Sequence, residues 1–185
     1  VATRTDPLGH TWSWTYDGSG RMLSETNPLG QTKTWSYLFG GQIAIETDEL
    51  GGTKYLGYTA DGRIRIMDDE LGHRTEWFYD DRGLVSAKLD PAGHLTAYDY
   101  DANRRLVAVT DPNGLTSEYE YDDAGHIIAL IDPLGARTSY EYDAPGRLIA
   151  MTDALGRETS YTYDDAGRWL STVMPNGGAY TNAYD

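Results

Sequence analysis

Asp132-Pro133-Leu134-Gly135-Ala136-Arg137-Thr138-Ser139-Tyr140-Glu141-Tyr142-Asp143-Ala144-Pro145-Gly146-Arg147-Leu148-Ile149-Ala150-Met151-Thr152 decides the fold. It holds two turn signals and two stretches of β-formers. Asp132-Pro133-Leu134-Gly135 has Asp first, Pro second and Gly fourth, the order a tight turn favours. Thr138 to Tyr142 alternates and is rich in β-branched and aromatic residues. Asp143-Ala144-Pro145-Gly146 is a second turn, and Arg147 to Thr152 a second strand. No stretch carries the 3.6-residue period of an amphipathic helix.

The same 21-residue unit extends outward in both directions. Starts fall at Asp6, Asn27, Asp48, Asp69, Asp90, Asp111, Asp132, Asp153 and Met174, without insertion or deletion. Taking these starts as position one, position four is glycine in all nine units, from Gly9 to Gly177. Position eleven is tyrosine in all nine, from Tyr16 to Tyr184, and position twelve is aspartate in seven. Self-similarity at a fixed short period is the signature of a repeat architecture. The reading is one array over 1–185, with eight full repeats over 6–173 and partial repeats over 1–5 and 174–185. Neither end carries an atypical capping unit, so the sequence reads as an excerpt of a longer chain. The expected fold is all-β, a coiled ribbon of sixteen or so antiparallel strands within a spiral shell or large barrel, because wide twisted sheets curl or close.

Parity sharpens the expectation. Side chains alternate faces along a strand, yet 21 is odd, so one turn is expected to enclose an odd number of residues and the other an even number. Position seventeen is apolar in all eight full repeats (Met22, Ile43, Ile64, Val85, Leu106, Ile127, Leu148, Trp169) and should share a face with Tyr at eleven. Position twelve then pairs with sixteen across a three-residue loop with a left-handed Gly. This sets Asp143 opposite Arg147 and Asp164 opposite Arg168. It also sets Tyr98 opposite Ala108, Tyr119 opposite Ala129 and Tyr140 opposite Ala150.

Composition narrows function. The net charge of −14 disfavours phosphate backbones. There is no cysteine, hence no disulfide, thiolate metal site or cysteine nucleophile. No apolar stretch approaches the ~18 residues of a membrane-spanning helix. His10, His73 and His94 all stand at position five, just after a turn glycine. His73 and His94 lie two strand spacings apart, about 9–10 Å, too far to share a zinc ion. His126 stands where other repeats have Arg. Fourteen of the 29 acidic residues occupy positions one and twelve, where Asp bonds local backbone amides. No catalytic, cofactor-binding or metal-binding residue is expected, and the chain is not expected to be an enzyme. The rows of Tyr and Trp read as packing ladders, with binding sugars or holding a cargo as their functional alternative.

Tyr140-Glu141-Tyr142-Asp143-Ala144-Pro145-Gly146-Arg147-Leu148 followed by Asp153-Ala154-Leu155-Gly156, and again Tyr161-Thr162-Tyr163-Asp164-Asp165-Ala166-Gly167-Arg168, resemble the Rhs/YD repeat. The resemblance covers the whole chain. The family includes bacterial Rhs polymorphic toxins, the cage subunits of toxin complexes, and teneurin adhesion proteins. It implies a β-strand spiral winding into a hollow shell, which in bacterial members encloses a C-terminal toxin domain before delivery. The implied partners are the remainder of the chain and an enclosed toxin cargo, with secretion machinery as a further contact. The implied location is secreted or exported from a bacterium. The alternative is a cell-surface adhesion or carbohydrate-binding array. Repeat two departs from the pattern at Tyr37-Leu38-Phe39, and repeat three at Leu56 and Thr59. Repeat five lacks the glycine at Asn103-Arg104, where Asn103 is expected to take the left-handed conformation. Strands with apolar residues in succession (Leu106-Val107, Ile127-Ile128, Leu148-Ile149) point to burial against something beyond the excerpt. The isolated piece is therefore expected to self-associate or to need the rest of its chain.

Overall fold

The computed structural model describes residues 1–184, and no described residue is helical. Val1–Leu95 and Thr96–Asp185 form two compact units. The first contains β1 (Ala2–Thr5), β2 (Thr11–Tyr16), β3 (Met22–Thr26), β4 (Thr32–Tyr37), β5 (Ile43–Thr47), β6 (Thr53–Tyr58), β7 (Ile64–Asp68), β8 (Arg74–Tyr79) and β9 (Val85–Leu89). The second is built on β10 (Leu95–Tyr100), β11 (Leu106–Thr110), β12 (Thr116–Tyr121), β13 (Ile127–Ile131), β14 (Arg137–Tyr142), β15 (Leu148–Thr152), β16 (Glu158–Tyr163), β17 (Trp169–Val173) and β18 (Ala179–Thr181). Within each unit every strand pairs antiparallel with its sequence neighbour. The all-β hairpin reading holds.

Both turns of a repeat have the same backbone. At the Asp-Pro turn, the N–H of position one donates to the carbonyl of position five, as Asp132 does to Ala136 at 2.9 Å. At the Tyr-Asp turn, position twelve donates to sixteen, as Asp143 does to Arg147 at 3.0 Å. In each the glycine N–H bonds back to the aspartate carbonyl, and the glycine is left-handed (Gly135 φ 82°, Gly146 φ 88°). The three-residue loop expected between twelve and sixteen is present. The expectation that the two turns differ in parity is overturned, because both loops hold three residues.

The odd residue is absorbed in the strands. Tyr121 opposes Ile127 as expected, but Glu120 opposes Ala129, with a register shift between Glu120 and Tyr121. Position eighteen is thus a β-bulge, and it recurs in every hairpin for which a register is described. Two residues oppose one at a bulge. Tyr119 then pairs with Leu130, and Leu130 with Thr138. Crossing one repeat therefore carries a residue 138 − 119 = 19 positions, to a site two positions earlier in the next repeat and on the same face. Without the bulge the step would be one position earlier, and each repeat would turn its tyrosines to the opposite face from the last.

Two expectations are corrected by this. Tyr at nine meets position twenty, not the small residue at nineteen: Tyr98 opposes Val109, Tyr119 opposes Leu130 and Tyr140 opposes Met151. Positions seven, nine, eleven, seventeen and twenty share one face, whereas nineteen lies opposite ten on the other. In repeat five the left-handed residue is Arg104 (φ 68°), not Asn103, because Arg104 occupies the fifteenth position that the loop geometry requires to be left-handed.

Neither unit has a thick core. Among the described residues the buried set is Ala129, Thr75 and Thr159. The paired strands Leu106-Val107, Ile127-Ile128 and Leu148-Ile149 are half-buried on both faces. Cohesion therefore comes mainly from the backbone ladder and from side chains that tie one hairpin to the next.

Candidate functional site

The Tyr-Asp turns carry those ties. Between repeats the ladder has three pairs, such as Ala129–Ser139, Leu130–Thr138 and Ile131–Arg137. It stops short of the Tyr-Asp turn, because the two-residue stagger carries the next hairpin beyond its neighbour there. Tyr at position eleven spans the gap. Its hydroxyl donates to the carbonyl of position seventeen of the preceding repeat: Tyr37 to Met22 at 2.7 Å, Tyr58 to Ile43 at 2.8 Å, Tyr121 to Leu106 at 2.7 Å, Tyr142 to Ile127 at 3.0 Å and Tyr163 to Leu148 at 2.9 Å. Desolvation raises the Tyr58 and Tyr142 hydroxyls above their ordinary pKa, so these groups stay protonated and able to donate.

Arginine at position sixteen closes the arrangement. Its Nε donates to the aspartate of its own turn, as in Arg147–Asp143 at 2.6 Å and Arg168–Asp164 at 2.7 Å, confirming both expected pairs. Its guanidinium lies over the tyrosine of the next repeat: Arg105 on Tyr121 at 4.7 Å, Arg147 on Tyr163 at 4.9 Å, Arg168 on Tyr184 at 4.6 Å. In three repeats its Nη1 also reaches the carbonyl at position twelve of the next turn, Arg21 to Leu38 at 3.4 Å, Arg105 to Asp122 at 2.8 Å and Arg147 to Asp164 at 3.3 Å. A planar, permanently charged group suits this slot because it stacks and donates in several directions.

The aspartates hold the turns from inside. Asp164 is held below its ordinary pKa by the Arg168 guanidinium and then by the Arg168 N–H. Asp17 is lowered first by the Arg21 N–H and then by its side chain. The Asp-Pro turns repeat the pattern, with Asp153 lowered by Arg157.

Each histidine falls into the same scheme. His10, His73 and His94 turn Nδ1 to the aspartate of their own turn, Asp6, Asp69 and Asp90, at 2.9, 3.0 and 3.1 Å. His126 does so to Asp122 at 2.9 Å and stacks on Tyr142 at 4.7 Å between ring centroids, filling the arginine slot with a shorter flat cation-former. Among the described residues no three His, Asp or Glu side chains gather as a metal-binding group. Among the described residues no helix is long and apolar enough to cross a membrane.

The departures from the pattern have local costs. With Thr59 at position twelve, Arg63 turns instead to Asp61, and its buried Nη1 lacks a partner. With Leu38 there, Gln42 replaces the arginine and Phe39 stands fully exposed. The cross-repeat ties, 15 and 16 residues apart in sequence, were missed by sequence reading. The one available signal was the invariance of Tyr at eleven, beyond what strand packing needs.

Two grooves open on the face of positions seven, nine and twenty. One, of about 310 Å³, is lined by Ser117, Tyr119, Leu130 and Thr138 among others. The other, of about 470 Å³, is lined by Arg4, Asp6, Trp12, Trp14 and Glu25.

Comparison with known proteins agrees with this geometry. The RHS Repeat family model matches residues 1–37, 79–120, 121–150 and 142–179. No curated protein matches the chain. Among solved structures, TcdB2-TccC3-TEV is similar with a TM-score of 0.73 at 17% identity over 93% of this chain. TcdB2-TccC3 without its hypervariable C-terminal region gives 0.72 at 17% over 93%. The Photorhabdus luminescens Tc holotoxin pore gives 0.55 at 16% over 99%. This chain spans 11% of the length of the first two and 12% of the third. With its repeats matched by the family model and laced by the tyrosine, aspartate and arginine of each unit, the chain belongs to the RHS repeat family.

Proposed function

We propose that this chain is a wall segment of a β-sheet shell that encloses a toxin domain and is exported from a bacterium. The observation that carries the reading is that the groups with chemical potential are spent on structure: the recurring Tyr, Asp, Arg and His side chains tie a turn to itself or to the next hairpin. The same observation supports a chain without catalytic activity of its own. The toxin-complex structures that share its fold make a shell the natural setting for so thin a sheet. Limited proteolysis of a protein that carries this segment ahead of a C-terminal domain, with and without two substitutions in the segment, tests it. A C-terminal domain protected in the intact protein and cleaved after the wall is loosened by Tyr142→Phe with Tyr163→Phe is the expected result. Equal cleavage in both would refute enclosure. A turnover by this chain that one point substitution abolishes while the fold stays intact would refute the absence of catalysis.

One observation favours a second reading, a carbohydrate-binding array: the groove floored by two tryptophans in repeat one.

A further inference from the structure

We infer that a second copy of this chain docks on the uncharged face of β10–β18, sheet against sheet. At positions seven, nine, eleven, seventeen and twenty these strands carry no Asp, Glu, Lys or Arg, in a chain of net charge −14. Their charges stand on the other face, at Asp99, Glu118, Glu120, Arg137, Glu141 and Glu158. The equivalent face of β1–β9 is different in kind, because Arg4, Glu25, Lys33, Glu46, Lys54 and Lys88 all stand on it. The pairing is a property of the 185-residue chain and stands or falls independently of the shell role.

Charge, relief and area select a second copy. A two-fold interface sets a patch against itself, so any charge on the patch meets its like, and this face has none to repel. A charged partner gains no attraction from it, and a basic one would be drawn to the acidic reverse face instead. In relief the face carries both ridges and a hollow. Tyr119 with Leu130 and Tyr140 with Met151 are cross-strand pairs of large side chains. Beside them Ser117 and Thr138 border a recess of about 310 Å³, room for a large side chain of the facing copy. Strands about 18 Å long and about 4.8 Å apart give β10–β18 roughly 700 Å² on one face. Two copies would then bury about 1,400 Å², within the range of about 1,200–2,000 Å² for stable interfaces. Twisted sheets stack in this way about 10 Å apart.

The first unit supplies the substitutions for a test. There a lysine at position twenty already faces an aromatic at nine, Lys88 opposite Trp77, and a glutamate does so at Glu25 opposite Trp14. Met151→Lys and Leu130→Glu therefore place on the second unit what the same strand pairing carries in the first. Sedimentation equilibrium of the 185-residue chain over about 1–100 µM should show a concentration-dependent dimer, twice the 20.5 kDa of one copy. Met151→Lys and Leu130→Glu should each weaken it by about tenfold or more, with the circular dichroism of the strands retained. Ser139→Lys, on the opposite face, should leave it unchanged. A monomer at every concentration overturns the proposal. So does association that survives either Met151→Lys or Leu130→Glu, which would place the contact at the strand edges of β1 and β18. Association that Ser139→Lys abolishes as well overturns the choice of face.

Discussion

The two rims of the hairpin array share one backbone and one aspartate contact, and differ in what ties each repeat to the next. At both, a three-residue loop closes with a left-handed glycine, and an aspartate side chain accepts the N–H four residues on, as Asp132 does from Ala136 and Asp143 from Arg147. At the Asp-Pro rim the loop tip is a leucine held out in solvent, Leu134 at 91% exposure, and no described contact of Leu134 reaches the next repeat. At the Tyr-Asp rim the next repeat is bound by a tyrosine hydroxyl and a stacked arginine. Turn chemistry alone therefore makes hairpins. Making an array of them takes a second set of side chains, placed where the inter-repeat ladder runs out.

Acid should break both rims together. Asp6, Asp17, Asp69, Asp80, Asp101, Asp122, Asp153 and Asp164 are all held below their ordinary pKa in the folded chain. Groups depressed by folding contribute stability that is fully present above the unfolded value near 3.8 and is lost as pH falls through the lower folded values. Thermal stability should be flat from neutral pH to about pH 5 and fall steeply below about pH 4. A melting temperature unchanged at pH 3 would mean that these hydrogen bonds do not hold the turns.

Glycine substitution should separate the rims. Gly135→Ala meets nothing within 4 Å, so its cost is the left-handed backbone alone, about 1–2 kcal/mol. Gly146→Ala carries the same strain and also sets its Cβ 2.8 Å from His126 Nε2, so it should cost more and disturb the stack on Tyr142. Equal melting temperatures for the two variants would erase the distinction.

Tyr142→Phe keeps the ring under His126 and removes the bond to the Ile127 carbonyl. The expected cost is about 0.5–1.5 kcal/mol, read by thermal unfolding, with faster amide exchange at the edges of β13 and β14. Leu134→Ser should change stability by less than about 0.5 kcal/mol, as for most surface substitutions. A larger loss on equilibrium unfolding would show that the leucine rim is covered in solution.

The strands, the turns and the pairing of Asp143 with Arg147 were legible because each is a contact between residues a few positions apart, and a strict period multiplies the signal. The place of the bulge was not. Parity requires one odd residue per repeat but is indifferent to whether a loop or a strand absorbs it. The left-handed Arg104 was missed for a related reason: residue preference favoured Asn103, whereas the loop geometry at the fifteenth position imposes the conformation on whatever residue stands there.

By itself, then, the sequence determined a period, two turns per repeat and an antiparallel order, since these follow from backbone preferences within one hairpin. Tertiary structure alone decided that position eighteen bulges, that Tyr119 meets Leu130 rather than Ala129, and that Tyr142 bonds to Ile127 fifteen residues back. The first two follow from the one-residue slip in the ladder of a single hairpin, and the third from the two-residue stagger that this bulge imposes on the next hairpin. Strand pairing sets both, and the residue preferences of a single turn are indifferent to which strand position absorbs the odd residue.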